Sequence, residues 1–331
     1  MTEHQPSPEK IMQLVSGVWG TGILGAAAVH GIFNHLESES TAAEVARKAA
    51  ISPRGAQALL DGLLGLQLIT LKDGKYRNGP EASLFLVDGK PASFGGMARW
   101  ALSSLARWKD LADVARTGMP VASDTLEMAE NPFWEALVPS IAVLSFPVAQ
   151  AAAGRLGLAA AGPITWLDVG GGSGVYSAVW LGVNRQARGT QLDWANVNRI
   201  AKGFVSKFGV GDRFETLDGD FHTTDFGSAK YDIAIYSHIA HQESPESNRE
   251  IFRKFRKAIK PGGTLLISDF VLEDDRRGHP FALMFTSNMM LMSKDGAAYR
   301  KADYQAWLKE AGFTTVSIEP TPGPASLVYA K

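Results

Sequence analysis

The sequence predicts an α/β protein: a mostly parallel sheet covered by helices on both faces, preceded by a mostly helical region that ends in a small hairpin. Three observations carry this. The last third alternates short apolar runs with helix-compatible segments, the pattern of strand–helix–strand units. One run, TWLDV at residues 165–169, leads straight into the bare stretch GGGSG. The first third instead holds helical segments and one clear turn signal, Asp73-Gly74, between two strand-like runs. At 331 residues the chain is long enough for about two domains with cores of their own. The division expected is 1–95, a helical region; 96–160, a helical connector; and 161–331, the sheet domain.

Hydrophobic residues at 45% and charged residues at 20% describe an ordinary globular chain, and a net charge of −1 offers no general attraction to nucleic acid or anionic membrane. With no cysteine there is no disulfide framework, thiolate zinc site or cysteine nucleophile, which fits a cytoplasmic protein. The polar opening MTEHQPSPEK lacks the charged-then-apolar order of a signal peptide. No uninterrupted apolar run reaches 18 residues, so no membrane span is expected.

In order along the chain, Ser7-Pro8-Glu9 signals a helix start with proline first, and the apolar segment runs on to Phe33. Two short helices follow. Ser40 or Thr41 caps the first, and a break at Ile51-Ser52-Pro53 opens the second. Helix, turn, helix and hairpin are the outline of a winged helix. From Ser52 to Leu68, however, Arg54 is the only basic residue, set against Asp61, so the footprint of a DNA-recognition helix is missing. Packing against another protein surface, as in dimerisation, suits this region better. Residues 91–158 read as helical and rich in large apolar groups, among them Phe94, Met97, Trp100, Trp108, Met128, Phe133, Trp134 and Phe146. Core packing is the default for them, with a subset free to wall a cavity for a flat organic molecule. The Ala/Gly-rich segment from Gln150 to Pro163 marks a helix end and a junction.

Strands are expected at 165–169, 190–192, 213–217, 231–236, 263–269, 314–318 and 326–330, the last two as an antiparallel hairpin at the sheet edge. The helix from Pro245 is capped by Ser244, stopped by Pro261-Gly262-Gly263, and buries Ile251, Phe252, Phe255 and Ile259.

The glycine loop sets the chemistry. Its spacing is Asp168-x-Gly170-x-Gly172-x-Gly174, and Val175 stands where a dinucleotide fingerprint needs its third glycine. Backbone without Cβ can approach a ligand closely at a helix N-terminus. The pattern resembles motif I of S-adenosylmethionine (SAM)-dependent methyltransferases. Asp193, ending the next strand, suits both ribose hydroxyls of an adenosine; a helix N-cap is its other possible role. After the third strand, Asp220 can accept from an adenine amino group and Phe221 offers an apolar face, unless the segment is simply a polar turn. Ser237 closes the fourth strand on the ligand side and is counted with the cofactor-binding residues. Just beyond lie His238 and His241, where a neutral imidazole could serve as base for an acidic hydroxyl. The pair has no convincing third ligand, so no metal is expected.

Taken together, LDVGGGSG, Leu192-Asp193, Gly219-Asp220-Phe221 and KAIKPGG at 257–263 resemble, in order, the motifs of the O-methyltransferase family that includes caffeate and hydroxyindole methyltransferases. The likeness covers nearly the whole chain. It implies a Rossmann-like SAM-binding sheet, an N-terminal winged-helix dimerisation domain, a homodimer, and His241 at the place of the catalytic histidine. Gln242 and Pro245 stand where the family usually has aspartates, Asp269 takes the place of one supporting glutamate and Tyr299 that of the other. Asp269 or Glu243 must then hold the imidazole. The expected activity is SAM-dependent methylation, on oxygen, of a small aromatic hydroxylated metabolite of specialised metabolism. Carbon or nitrogen methylation, a SAM-retaining enzyme without methyl transfer, and a winged-helix metabolite-sensing regulator are the alternatives.

Overall fold

The computed structural model describes residues 6–121, 128, 130–321 and 323–331. The chain divides into two compact units, the first ending at Trp108 and the second starting at Lys109.

The first unit contains α1 (Glu9–Val29), α2 (Ile32–His35), α3 (Ala42–Lys48), α4 (Pro53–Gly65), the hairpin β1 (Ile69–Lys72) and β2 (Lys75–Asn78), α5 (Pro80–Phe85) and α6 (Gly95–Trp108). Pro8 lies one residue outside the helix it was expected to begin, and Glu9 N–H donates to Ser7 Oγ at 3.2 Å. The apolar segment to Phe33 is two helices, because Gly31 turns the chain at a φ of 61°. Thr41 rather than Ser40 caps α3, in a reciprocal box with Glu44, and Ser52 caps α4. Asp73 and Gly74 both take positive φ, the geometry that a two-residue hairpin turn requires. Phe33, Leu36, Val45, Leu60, Leu63 and Tyr76 fill the core. One stripe of α1 stays outside it: Ile11, Leu14, Val15, Val18 and Trp19 are all exposed.

The second unit opens with α7 (Leu111–Thr117) and α8 (Pro132–Arg155). Then β3 (Thr165–Val169), α9 (Val175–Val183), β4 (Arg188–Asp193), α10 (Ala195–Lys207) and β5 (Phe214–Asp218) build one half of a sheet. The other half comes from β6 (Tyr231–Ser237), α11 (Pro245–Ala258), β7 (Ile259–Asp269), α12 (Pro280–Met292), α13 (Lys301–Glu310), β8 (Val316–Pro320) and β9 (Ser326–Ala330). The strand order is β5-β4-β3-β6-β7-β9-β8, parallel through β7 and antiparallel at the β9 and β8 edge. From β3 the chain builds outward to β5, then returns to place β6 on the other side. That reversal opens a crevice at the carboxyl ends of β3 and β6, where open α/β sheets bind ligands.

Strand side chains alternate between two cores. Trp166, Ile233, Ile235 and Leu266 face α8, α9 and α10, while Leu167, Ala234, Tyr236 and Ile267 face α11 and α13. Helix α11 ends at Ala258, earlier than the Pro-Gly-Gly stop. Ile259 is already paired with Tyr231, and Lys260–Gly263 bulge out before Thr264 resumes the register against Ile233. Core packing does not account for Trp108 and Met128, both exposed at chain turns.

Two helices, Glu9–Val29 and Pro132–Arg155, are long and apolar enough to cross a membrane, although no span was expected. Small polar and glycine residues interrupt their apolar runs, but the average over each helix stays apolar. In α8 the apolar residues Ala149, Ala152 and Ala153 belong to the sheet core.

Candidate active site

The cradle starts where β3 ends. Gly170 and Gly172 have φ of 65° and 58°, values a side chain adopts only under strain. A Cβ on Gly170 would stand 2.6 Å from Ile239 Cδ1, so this position is closed to any larger residue. Below the loop, Gln191 Nε2 donates to Gly172 O and to Asn198 Oδ1, both at 3.1 Å. Asp193 closes β4 and accepts Gly172 N–H at 2.9 Å and Trp194 N–H at 2.8 Å. Its side chain therefore ties the glycine loop to the next strand and does not cap α10, whose cap residue is Trp194. Burial pushes its carboxyl up to about 6 against the lowering effect of those two bonds.

Asp168 is wholly buried behind the loop, and neither carboxylate oxygen has a hydrogen-bond partner among the described residues. Burial, then the nearby Asp193, raises it to about 8. In the unfolded chain it returns to the ordinary 3.8, so the ligand-free fold loses stability as pH rises from about 4 toward 8. Asp168→Asn should flatten that decline. Melting curves between pH 5 and 8.5 check it, and an unchanged pH slope would refute it.

A cavity opens above the cradle. Gly170, Gly172, Asp193 and Ser237 line it at the strand ends, and Phe221 and His222 come from the segment after β5. The far wall is one stripe of α8, from Trp134 through Val138 to Ser145. Trp134 is thus a wall residue, and its buried indole N–H has no hydrogen-bond partner among the described residues. Asp168 and Asp220 are not in the lining. Asp220 Oδ1 is instead engaged by His222, from its backbone N–H at 2.8 Å and its Nδ1 at 2.7 Å.

Beside the cavity, β6 ends in Ser237 and a short turn carries both histidines. His238 lines the cavity with a φ of 58°, held by its N–H to Ser268 O at 2.8 Å and by Gln242 Nε2 on its carbonyl at 3.0 Å. Desolvation lowers its imidazole to about 4, so it is neutral at ordinary pH. His241 is buried, and its Nδ1 lies 2.6 Å from Asp269 Oδ1. Asp269, ending β7, also accepts the backbone N–H groups of His241 and Phe270 and the Tyr304 hydroxyl at 3.2 Å. Burial alone would raise its carboxyl. The facing imidazole and these hydrogen bonds outweigh that and hold it below the ordinary carboxylate value. Phe285 meets the His241 ring edge-on at 4.8 Å, with Phe270 at 5.9 Å and His238 at 6.1 Å.

Asp269, rather than Glu243, therefore holds the imidazole, while Glu243 pairs with His222. Tyr299 Oη donates to Glu243 O at 2.5 Å and does not reach the imidazole's hydrogen bonds. His238, His241 and Asp269 bring their donor atoms within 4.8 Å of one another, the third group that the sequence did not offer. With four donors already on Asp269, that carboxylate is committed to orienting the imidazole. His222, Gln191, Tyr304 and the wall role of Trp134 had no local signal, since the partners that give them these roles (Glu243, Gly172, Asp269 and the glycine loop) lie 19 or more positions away.

Residues 160–314 match the O-methyltransferase domain family and residues 12–88 the O-methyltransferase dimerisation domain family. A 3-hydroxy-5-methyl-1-naphthoate 3-O-methyltransferase of Streptomyces sahachiroi is 30% identical over 93% of this chain and 90% of its own. The tetracenomycin polyketide synthesis 8-O-methyl transferase of Streptomyces glaucescens is 29% identical over 99% and 98%. Human N-acetylserotonin methyltransferase, solved with SAM, shares the fold at a TM-score of 0.86 and 22% identity over 100% and 99% of the two chains. The chain belongs to the SAM-dependent O-methyltransferase family. Its own residues are compatible with that cofactor: a buried carboxylate, unpartnered among the described residues, lies behind a bare backbone cradle, and an acidic strand end and an aromatic ring line the cavity.

Proposed function

We propose that the protein methylates a hydroxyl oxygen of a small, flat aromatic metabolite, with His241 as general base. The observation that carries this is the His241–Asp269 pair, set among Phe270 and Phe285, 6.1 Å ring to ring from His238, which lines the same cavity as the glycine cradle. An ionised carboxylate only accepts, so the hydrogen stays on His241 Nδ1 and Nε2 keeps a lone pair for the acceptor's proton. Bound SAM supplies an electrophilic methyl group on its sulfonium. Gly170 and Gly172 give that cofactor its close backbone approach, and Asp168 balances its charge from behind. We assign Asp193 to the ribose hydroxyls, Asp220 and Phe221 to the adenine end, and Ser237 to the cavity wall beside them. The rings of Phe270, Phe281 and Phe285, whose neighbouring centres lie 4.5–5.8 Å apart, offer apolar surface suited to an aromatic acceptor.

The named Streptomyces relatives act on a naphthoate and in tetracenomycin polyketide synthesis, which supports a role in specialised metabolism. The deciding experiment is a mass-spectrometric screen of phenolic aromatics with methyl-labelled SAM. A product that gains one methyl as an aryl ether supports the reading. A new carbon–methyl or nitrogen–methyl bond, or consumption of the aromatic without label, overturns it.

The first unit we read as a winged-helix-type dimerisation domain, because the α1 stripe from Ile11 to Trp19 is too apolar to remain in water. Light scattering at micromolar concentration should give twice the chain mass, and a monomer would refute it. Replacing Leu14 and Trp19 with glutamate should shift the particles to monomers. We place the protein in the cytoplasm, where a chain without cysteine has no disulfide to form. Its partners are then a second copy and a small molecule, with no role for nucleic acid or membrane.

A further inference from the structure

His222 joins two segments that the sheet order keeps apart. The connection from β5 to β6 packs against α11, with Phe226 on Phe255 at 5.1 Å, and so passes the turn that follows β6. There His222 Nδ1 faces Asp220 Oδ1 at 2.7 Å while its Nε2 faces Glu243 Oε2 at 2.8 Å. A carboxylate accepts and cannot donate, so both contacts are hydrogen bonds only when the ring carries two protons. Glu243 is buried, and among the described residues its carboxylate is hydrogen-bonded, besides the ring, only by the Ser247 hydroxyl, at 2.5 Å. On the other side of the ring, Phe221 lies 4.4 Å away, centre to centre, and both residues line the cavity. Lys254, from α11, donates to the carbonyls of Phe221 and His222 at 2.5 and 3.0 Å, which holds the backbone but leaves the rings to the imidazole.

We infer that His222 is a positioning residue for the cofactor: as an imidazolium strap between Asp220 and Glu243 it holds Phe221 and its own ring against the cavity, so cofactor affinity depends on its charge. This rests on the assignment of the cavity to SAM and not on the base role of His241. The charged groups around the ring are Asp220 on its own segment, Glu243 on the turn after β6 and Lys254 on α11. The Glu243 hydrogen bond leads in raising the ring to about 9, against a smaller desolvation effect. The strap is therefore intact well below pH 9 and is lost as pH rises through about 9, while the stability it adds to the fold is fully present only below the ordinary 6.5.

The test is calorimetric binding of S-adenosylhomocysteine, which needs no chemistry, from pH 6.5 to 10. Asp168 titrates in the same range, so the readout is the difference between wild type and variant. Wild-type affinity should fall about tenfold between pH 8 and 10, the size of one charge-assisted hydrogen bond. His222→Gln should bind about tenfold more weakly at pH 7 and lack that high-pH step. Equal affinity and an unchanged pH profile in His222→Gln would overturn the proposal. If that variant does not fold, Glu243→Gln decides: removing one carboxylate must move the high-pH step downward, and an unmoved step refutes the strap. Absence of any binding by wild type would instead defeat the cofactor assignment itself.

Discussion

His241→Ala should lower single-turnover methyl transfer at saturating SAM by about 10²–10⁴-fold, the usual share of acid–base catalysis. The loss falls on chemistry, because the groups against the ring are Asp269, His238, Phe270 and Phe285, none of which we assign to the cofactor. Cofactor affinity should stay within about twofold, well under the 1.4 kcal/mol that a tenfold change represents. Asp269→Asn should approach the same loss with the imidazole still present, since an amide no longer enforces the tautomer that leaves Nε2 free. His238→Ala is the control. Its desolvated ring, lowered to about 4, is too weak a base to take over, so its removal should cost far less. Near-normal turnover in His241→Ala would remove the base assignment and point to a carbon acceptor or a base supplied by the substrate.

Gly170→Val should abolish measurable SAM binding, a loss of 10²-fold or more and on the order of 3 kcal/mol. Two costs combine. The backbone φ of 65° disfavours any β-branched residue, and the new Cβ would lie 2.6 Å from Ile239 Cδ1. Relief of that clash moves the loop whose bare backbone lines the cavity. Gly172→Ala separates the causes, since its Cβ would meet nothing closer than Val138 at 3.7 Å and suffers only the strain of a positive φ. A folded Gly170→Val protein with wild-type SAM affinity, judged by calorimetry and a normal melting curve, would sink the cradle assignment.

The sequence alone was enough for the class of fold and for the cradle, because both are written in local rules. A strand buried on both faces reads as an apolar run, as Thr165–Val169 does, and a loop that must take positive φ reads as glycine. The Ser244 cap was equally legible and the cap of α3 was narrowed to Ser40 or Thr41, since a cap is a bond over three residues. Boundaries drifted wherever long-range pairing intervened. Ile259 extends β7 against Tyr231 before the Pro-Gly-Gly bulge, and no nearby residue announces it.

The candidate site divided in the same way. Its positions at strand carboxyl ends were visible as Asp193, Ser237 and the two histidines, but their partners were not. Whether Asp269 or Glu243 would hold His241 depended on how far apart the ends of β6 and β7 lie, and only the parallel pairing of those strands brings Asp269 to 2.6 Å from the ring. Glu243 was drawn away by His222 across the connection that packs under α11. Residue types and their spacing along the chain state which groups are available. Which of them share a proton is decided by distances of a few ångströms between segments 20 or more residues apart, and those exist only once the sheet and its covering helices have packed.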